Sequence, residues 1–477
     1  MLTMVRRVAR VGPYLELSPQ KNHQGSTRHT TRASRGRAPK VRDESREQGT
    51  VSAVRNSSQI GARIAGGYLA GTGIGAGALT ALPSTPEGGL GFVDALFTAA
   101  SAVTLTGLSV ADTSRFSGLG QAIVFLLIAF GAIGVAITTA GLVLLLGRAR
   151  WSSRQSLNAD VSANADQQRS FLLYVLASVA TATLVGGLAL RVAGMRWWDS
   201  FFYALSAFAN AGFSTLPDSL TAVSSPAIAL ISLLVLVGGL GYPVTFELIR
   251  RRRDDTEPLS STTHLTLLAT LGLLVTGALV LGSFEWGRDE TLGTLPLPRR
   301  LAALLALTVM PRSGGFNVTD TGELADGSLL TTIFLMFIGA GPAATGGGIK
   351  TTGFAVLVIA LIAAGRGRET AHAGRFAISP RLVNHVIAVT LVLAGTVMLV
   401  TLVLSLDRSM TVALFDATSA VTTTGLSAGE PATSAPSKIA LTLGMLIGRL
   451  APMLLAVRLM GYRKALVRPA EREIIVT

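Results

Sequence analysis

Long hydrophobic runs alternate along this chain with short ones, and the alternation repeats four times. Uncharged runs occupy 118–147, 171–190, 220–246, 265–283 and 386–406, each close to or above the ~20 apolar residues that a helix needs to cross a bilayer. Three further runs are long enough but less uniform: 64–83 is rich in glycine, 328–364 carries one charge at Lys350, and 439–457 carries only Arg449. The pattern predicts eight spans. Four other apolar stretches, near 93–103, 199–208, 300–310 and 411–421, are too short to cross and read as re-entrant half-helices. Each leads into a turn of small residues around a glycine.

The four glycines, Gly107, Gly212, Gly315 and Gly425, stand 105, 103 and 110 residues apart. So regular a period marks internal repeats. The repeating unit is span, short pore helix, glycine turn, span, and it returns the chain to the side it left. The expected fold is an all-α integral membrane protein in which four pseudo-fourfold-related units surround one central pore. The boundaries fall at 1–56 for a basic, disordered N-terminal tail, 57–165 for unit 1, 166–258 for unit 2, 259–378 for unit 3 and 379–477 for unit 4 with the C-terminus.

Composition agrees with lipid as the solvent: 49% hydrophobic and 14% charged residues and a mean hydropathy of +0.52 leave too little polar surface for a water-soluble chain. Charge then orients it. Segments 148–170, 247–264, 365–385 and 458–477 hold 17 basic and 9 acidic residues, whereas 83–117, 191–219, 284–327 and 407–438 hold 9 basic and 14 acidic. The positive-inside rule therefore places the glycine turns outside and both termini in the cytoplasm, in an inner (plasma) membrane. The net charge of +14 suggests no nucleic-acid partner, because 12 of the 41 basic residues lie in the first 56 positions. With no cysteine, disulfides and thiolate chemistry are excluded. His23, His29, His264, His372 and His385 show no metal-ligand spacing, and no nucleophile, base and acid share a face, so no enzyme is expected.

A pore that passes dehydrated K⁺ must replace the ion's water with oxygens, and backbone carbonyls do so without a trapping charge. Glycine permits the backbone this requires. The candidate filter residues are Leu105, Thr106 and Gly107; Asn210, Ala211 and Gly212; Ser313, Gly314 and Gly315; and Thr423, Thr424 and Gly425. Arg312 would brace its turn through carbonyl or carboxylate bonds, since a guanidinium in the filter repels K⁺.

These stretches resemble the Trk/Ktr/HKT superfamily of potassium transporters over about residues 60–465. The resemblance rests on Thr104-Leu105-Thr106-Gly107-Leu108-Ser109, Asn210-Ala211-Gly212-Phe213-Ser214, Gly238-Gly239-Leu240-Gly241-Tyr242-Pro243, Arg312-Ser313-Gly314-Gly315-Phe316-Asn317, Gly346-Gly347-Gly348-Ile349-Lys350-Thr351-Thr352 and Gly448-Arg449-Leu450. With no extra pair of spans before unit 1, the chain looks most like the Ktr-type membrane subunit. Gly131-Ala132-Ile133-Gly134 replaces the usual double glycine of that span, and Ser313-Gly314 replaces Thr-Ala. The last span reads Arg449-Leu450-Ala451-Pro452, where a glycine commonly precedes the proline.

The resemblance implies K⁺ uptake through a K⁺-selective pore, with K⁺ as transported ion, Na⁺ as a second candidate, and no cofactor in this chain. It also implies a homodimer in the lipid bilayer and a cytosolic nucleotide-binding regulatory ring. The alternative is an alternating-access symporter coupled to Na⁺ or H⁺. The 328–364 run is too long for one span, and its glycines and proline at 339–348 break it. There the resemblance implies an intramembrane gate loop, with Gly346, Gly347, Gly348, Lys350 and Arg449 as gate residues. Arg449 either lines the cavity under the filter or snorkels to the interface, and Lys350 either holds the loop or snorkels. A phosphate-binding loop is excluded because three residues separate Gly346 from Lys350.

Overall fold

The computed structural model describes residues 41–151, 161–251, 259–368, 370–373, 376–429 and 431–461. Apart from a hairpin of two two-residue strands, β1 (His372–Ala373) and β2 (Phe376–Ala377), its regular structure is helical. Unit 1 contains α1 (Val41–Ala81), α2 (Phe92–Thr104) and α3 (Gly118–Trp151), and unit 2 contains α4 (Val161–Val192), α5 (Trp197–Phe208), α6 (Ser225–Leu240) and α7 (Tyr242–Arg251). Unit 3 contains α8 (Ser261–Glu285), α9 (Leu297–Val309), α10 (Asp326–Phe337) and α11 (Thr351–Ala364), and unit 4 contains α12 (Pro380–Leu404), α13 (Met410–Val421) and α14 (Ala435–Gly461).

Local chemistry starts several of these helices. Ser260 caps α8 through the amide of Thr263 at 3.3 Å, and Ser379 caps α12 through that of Leu382 at 3.3 Å. In α12 a proline then occupies the first turn, where its missing N–H costs nothing. On α11 and α12, Leu361, Leu399 and Leu402 face outward, 74%, 68% and 67% exposed. Such apolar area is sustainable against lipid and not against water.

Among the described residues, five helices are long and apolar enough to cross a membrane. Three expected spans differ. The glycine-rich first run lies in a helix that starts at Val41, inside the segment read as a disordered tail; residues 1–40 lie outside the described residues. The 220–246 run is not one straight helix but the pair α6 and α7, bent 96° at Gly241. The 328–364 run is broken, as its glycines implied, into α10 and α11 with 338–350 between them.

The short helices α2, α5, α9 and α13 fall where re-entrant half-helices were expected, and their C-terminal turns are buried. Packing between units is cyclic. Helix α3 lies against α4 and α5, α9 against α6, α10 against α13, and α14 closes the circle against α1 and α2. In three units a glycine of the following helix receives the end of the short helix. A Cβ at Gly131, Gly238 or Gly448 would collide with the carbonyl oxygen of Val103, Phe208 or Val421 respectively. Hence unit 1 needs Gly131 and not a double glycine.

Gly448→Ala should therefore lower stability by roughly 1–3 kcal/mol through overpacking. Gly395→Ala, on α12 with no atom within 4 Å of the added Cβ, should be neutral or slightly stabilising. Thermal unfolding in detergent compares the two, and equal melting temperatures would refute the close-approach argument.

Candidate functional site

Where α2, α5 and α13 end, the chain makes the same reversal. The amide of Leu105 donates to Ala102 O and that of Thr106 to Ser101 O (3.2 and 2.8 Å). Asn210 and Ala211 repeat this on Ala207 and Ser206 (3.1 and 2.7 Å), as do Thr423 and Thr424 on Ala420 and Ser419 (3.1 and 2.8 Å). This is the paired 5→2 and 6→1 bonding that stops a helix at a left-handed residue. Leu105, Asn210 and Thr423 accordingly have φ of 58°, 53° and 49°. Unit 3 reaches a similar shape differently: a 3₁₀ turn at Met310–Arg312 precedes Ser313 (φ 84°), and Met310 O accepts from Gly314 and Gly315. Two residues later each turn has its glycine at positive φ: 93° at Gly107, 71° at Gly212, 72° at Gly315 and 99° at Gly425.

The four turns meet. A Cβ on Gly107 would collide with Ala211 O, one on Gly315 with Thr424 O and one on Gly425 with Thr106 O; at Gly212 it would lie 3.3 Å from Gly314 O and 2.9 Å from the Cα of Gly315. Thus the carbonyl oxygens of Thr106, Ala211, Gly314 and Thr424, one per unit, each abut the glycine of the neighbouring unit. Their succession closes on itself. No side chain fits between the strands, which is why all four positions are glycine.

Hydroxyls support the turns from behind. Ser101 Oγ accepts from the Gly107 amide (3.1 Å) and Ser419 Oγ from that of Gly425 (3.0 Å), while Ser206 Oγ donates to Phe213 O (2.9 Å). Thr104 pairs with Thr106 and Thr422 with Thr424 through their hydroxyls (2.7 and 2.8 Å). These serines were not among the expected site residues. Their signal was present, since serine precedes the glycine by six residues in three turns.

Above the turns lies an open vestibule of about 640 Å³, lined by all four glycines and by Asp112, Asp320 and Asp416, with no lysine or arginine among its described lining residues. Asp112 and Asp320 play equivalent parts, accepting from the amides of Ser114 and Gly322 at 2.9 Å each. Asp416 differs: its carboxylate pairs with Arg408 at 2.5 Å and accepts from Ser427 Oγ at 2.9 Å. All charged residues of its described lining are acidic, although Arg115 lies 3.9 Å from Asp112 and Arg408 pairs with Asp416; an acidic lining favours cations.

Beneath the turns runs the broken segment between α10 and α11. Thr345 Oγ1 donates to Asn210 Oδ1 (2.9 Å), and Gly347 N donates to Ser313 Oγ (3.1 Å). A Cβ on Gly347 would collide with Thr422 O, and one on Gly346 would lie 2.6 Å from the side chain of Ser313. Gly348 adopts φ 68°. The segment therefore touches the second, third and fourth turns. Arg449 reaches the first: its Nη1 donates to Thr345 O (2.6 Å), its Nε to Thr104 O (2.7 Å) and its Nη2 also to Thr104 O. At 3% exposure it does not snorkel. Lys350 Nζ turns back to Gly346 O (2.5 Å), holding the loop's final bend.

Arg312 corrects the expectation of carbonyl or carboxylate bracing. It is buried behind its turn, Nη2 lies 3.4 Å from Thr270 Oγ1 on α8, and Nε has no partner among the described residues. His264, His372 and His385 remain apart, and no metal-ligating group occurs among the described residues. His23 and His29 lie outside them.

Comparison with known proteins places this geometry. A family described as "TrkH: Cation transport protein" matches residues 74–460. The chain is 33% identical over 392 residues to the Ktr system potassium uptake protein B of Bacillus subtilis (strain 168), covering 79% of this chain and 87% of that one. It is 31% identical to the protein of the same name from Vibrio alginolyticus, covering 83% and 90%. The potassium transporter TrkH from Vibrio parahaemolyticus has a similar fold, with a TM-score of 0.63 at 20% identity over 77% of this chain and 78% of that one.

Asn210 ties the second turn both to α6, through Val235 O at 3.2 Å, and to the loop through Thr345. Asn210→Ala should cost about 1–3 kcal/mol, because buried partners are left unsatisfied. An unchanged melting temperature would show that these bonds contribute nothing.

Proposed function

Because this chain belongs to the TrkH cation transport family, we propose that it takes up K⁺ across the plasma membrane through one pseudo-fourfold pore, as the membrane subunit of a Ktr-like system. The observation that carries this reading is the closed succession of the Thr106, Ala211, Gly314 and Thr424 carbonyls against Gly425, Gly107, Gly212 and Gly315, respectively. Leu105, Asn210, Ser313 and Thr423, each left-handed, begin the segments whose backbone oxygens substitute for the ion's hydration shell. The pore helices end at this ring, so the negative ends of their dipoles favour a cation there. Potassium is cargo here, with Na⁺ the competing ion, and no cofactor takes part.

Gly346, Gly347, Gly348 and Lys350 shape a gate under the filter, and Arg449 locks it. An arginine within a span costs ~2.5–3.5 kcal/mol unless compensated. Carbonyls from the first turn and from the loop compensate it, and the remaining positive charge raises the barrier to K⁺ directly below the ring. Opening then requires Arg449 to release Thr345 so that the loop withdraws. In this reading the vestibule faces outward, both termini face the cytoplasm, and the chain works as a homodimer with a cytosolic nucleotide-binding ring.

The test is ⁸⁶Rb⁺ uptake in a host lacking its own K⁺ uptake systems. Well-expressed protein should restore uptake, and failure to do so would overturn the proposal. Gly107→Ser places a side chain against Ala211 O and should relax discrimination of K⁺ over Na⁺; unaltered selectivity would remove Gly107 from the filter. Arg449→Ala should raise the maximal rate severalfold, whereas a lower or unaltered rate in folded protein would show that the arginine is no barrier.

A further inference from the structure

The bend at Gly241 gives α7 a position unlike that of any other helix in the fold. Helix α6 begins shortly after Ser219, which lines the vestibule, and ends sixteen residues later at Leu240. It is therefore about 24 Å long, short of a complete crossing. The chain then turns by 96° into α7, which is nearly perpendicular to α6 and so, with α6 along the membrane normal, lies in the membrane plane. Its composition suits that plane. Tyr242 and Val244 are buried, while Ile249 is half exposed beside Arg250 and Arg251, and two further arginines follow at 252 and 253. An apolar flank with a basic end is the pattern of a helix lying at the headgroup level.

Neighbouring contacts hold α7 in that plane. Phe246 packs against Tyr174 and Phe171 of α4, with ring centroids 5.0 and 6.0 Å apart, and Tyr174 Oη donates to Thr245 Oγ1 at 2.9 Å. Its one acidic residue, Glu247, is engaged by Ser260 and Thr263 at the start of α8 (2.7 and 2.6 Å from their hydroxyls). The helix's other end abuts the broken segment. Gly341 N donates to Gly239 O at 2.7 Å, and a Cβ on Gly241 (φ 94°) would collide with Pro342 O.

We infer that α7 is an interfacial helix whose arginines bind anionic phospholipid headgroups, and that this contact biases the 339–348 loop through the bearing of Gly241 on Pro342. The coupling half rests on the pore reading above; the lipid half does not. Charge complementarity selects the occupant: α7 ends in Arg250 and Arg251, both exposed, and a basic end on a helix lying across a span suits a negatively charged surface at the height of its phosphates.

Since the chain has no cysteine, Ile249→Cys provides a single site for a nitroxide label. In the full chain reconstituted into phosphatidylcholine vesicles with and without phosphatidylglycerol, the label should report headgroup-level depth when the anionic lipid is present. High salt, or replacement of the arginines at 250–253 by glutamine, should move it toward water, each lost arginine weakening the anionic-surface contact about fivefold. A water-exposed label in both lipids would overturn the inference.

The same vesicles report ⁸⁶Rb⁺ flux. Phosphatidylglycerol should change the flux of the parent protein severalfold and leave that of the four-glutamine variant unchanged, with equal fluxes in phosphatidylcholine. A lipid effect that survives the glutamines would overturn the assignment to α7. Absent flux in every lipid with the label still at headgroup depth would refute the pore reading and leave the lipid contact standing.

Discussion

Four backbone segments from distant parts of one chain approach more closely than any side chain allows, and the rest of the structure serves that approach. At Gly107, Gly212, Gly315 and Gly425 a methyl group would overlap or crowd a neighbouring unit's main chain. Positive φ at each of these positions would strain any other residue. Glycine answers both conditions at once. The short helices α2, α5, α9 and α13 bring the segments in, and the glycines of the following helices let three of them seat their last carbonyls against a neighbour.

Buried polar groups around the turns are costly to leave unpaired, and protein groups meet several of them. The serines behind the first and fourth turns meet the glycine amides, and Asn210 links α6 to the loop below. Arg449 is the most demanding case, because its charge is buried and its partners are carbonyls, not carboxylates. Neutral acceptors hold the guanidinium without cancelling its field. That distinction separates Arg449 from Arg408, whose partner Asp416 neutralises it at the vestibule wall.

Much of the architecture was legible beforehand. Hydropathy located five of the eight expected spans as unbroken apolar helices among the described residues, and the four short helices, because burial in lipid imposes a continuous apolar run on whatever crosses it. The glycine period located the turns and their equivalence. The break at 339–348 was legible because a run of glycines with a proline cannot continue a helix. Less accessible was the break at Gly241. Gly238, Gly239, Gly241 and Pro243 weaken a helix there, but the size of the bend and the approach of Pro342 O, which leaves no room for a Cβ at residue 241, appear only in the structure. Arg312 misled for a similar reason: its position next to a turn said nothing about the side chain's direction, which is away toward Thr270 on α8.

By itself the sequence determined solvent, repeat and the identity of residues that admit close backbone contact, since these depend on composition and on steric freedom at single positions. Which carbonyl faces which glycine, and which turn Arg449 grips, were decided by tertiary structure. Those pairs are more than a hundred residues apart, and their geometry exists only once four units have closed into a ring.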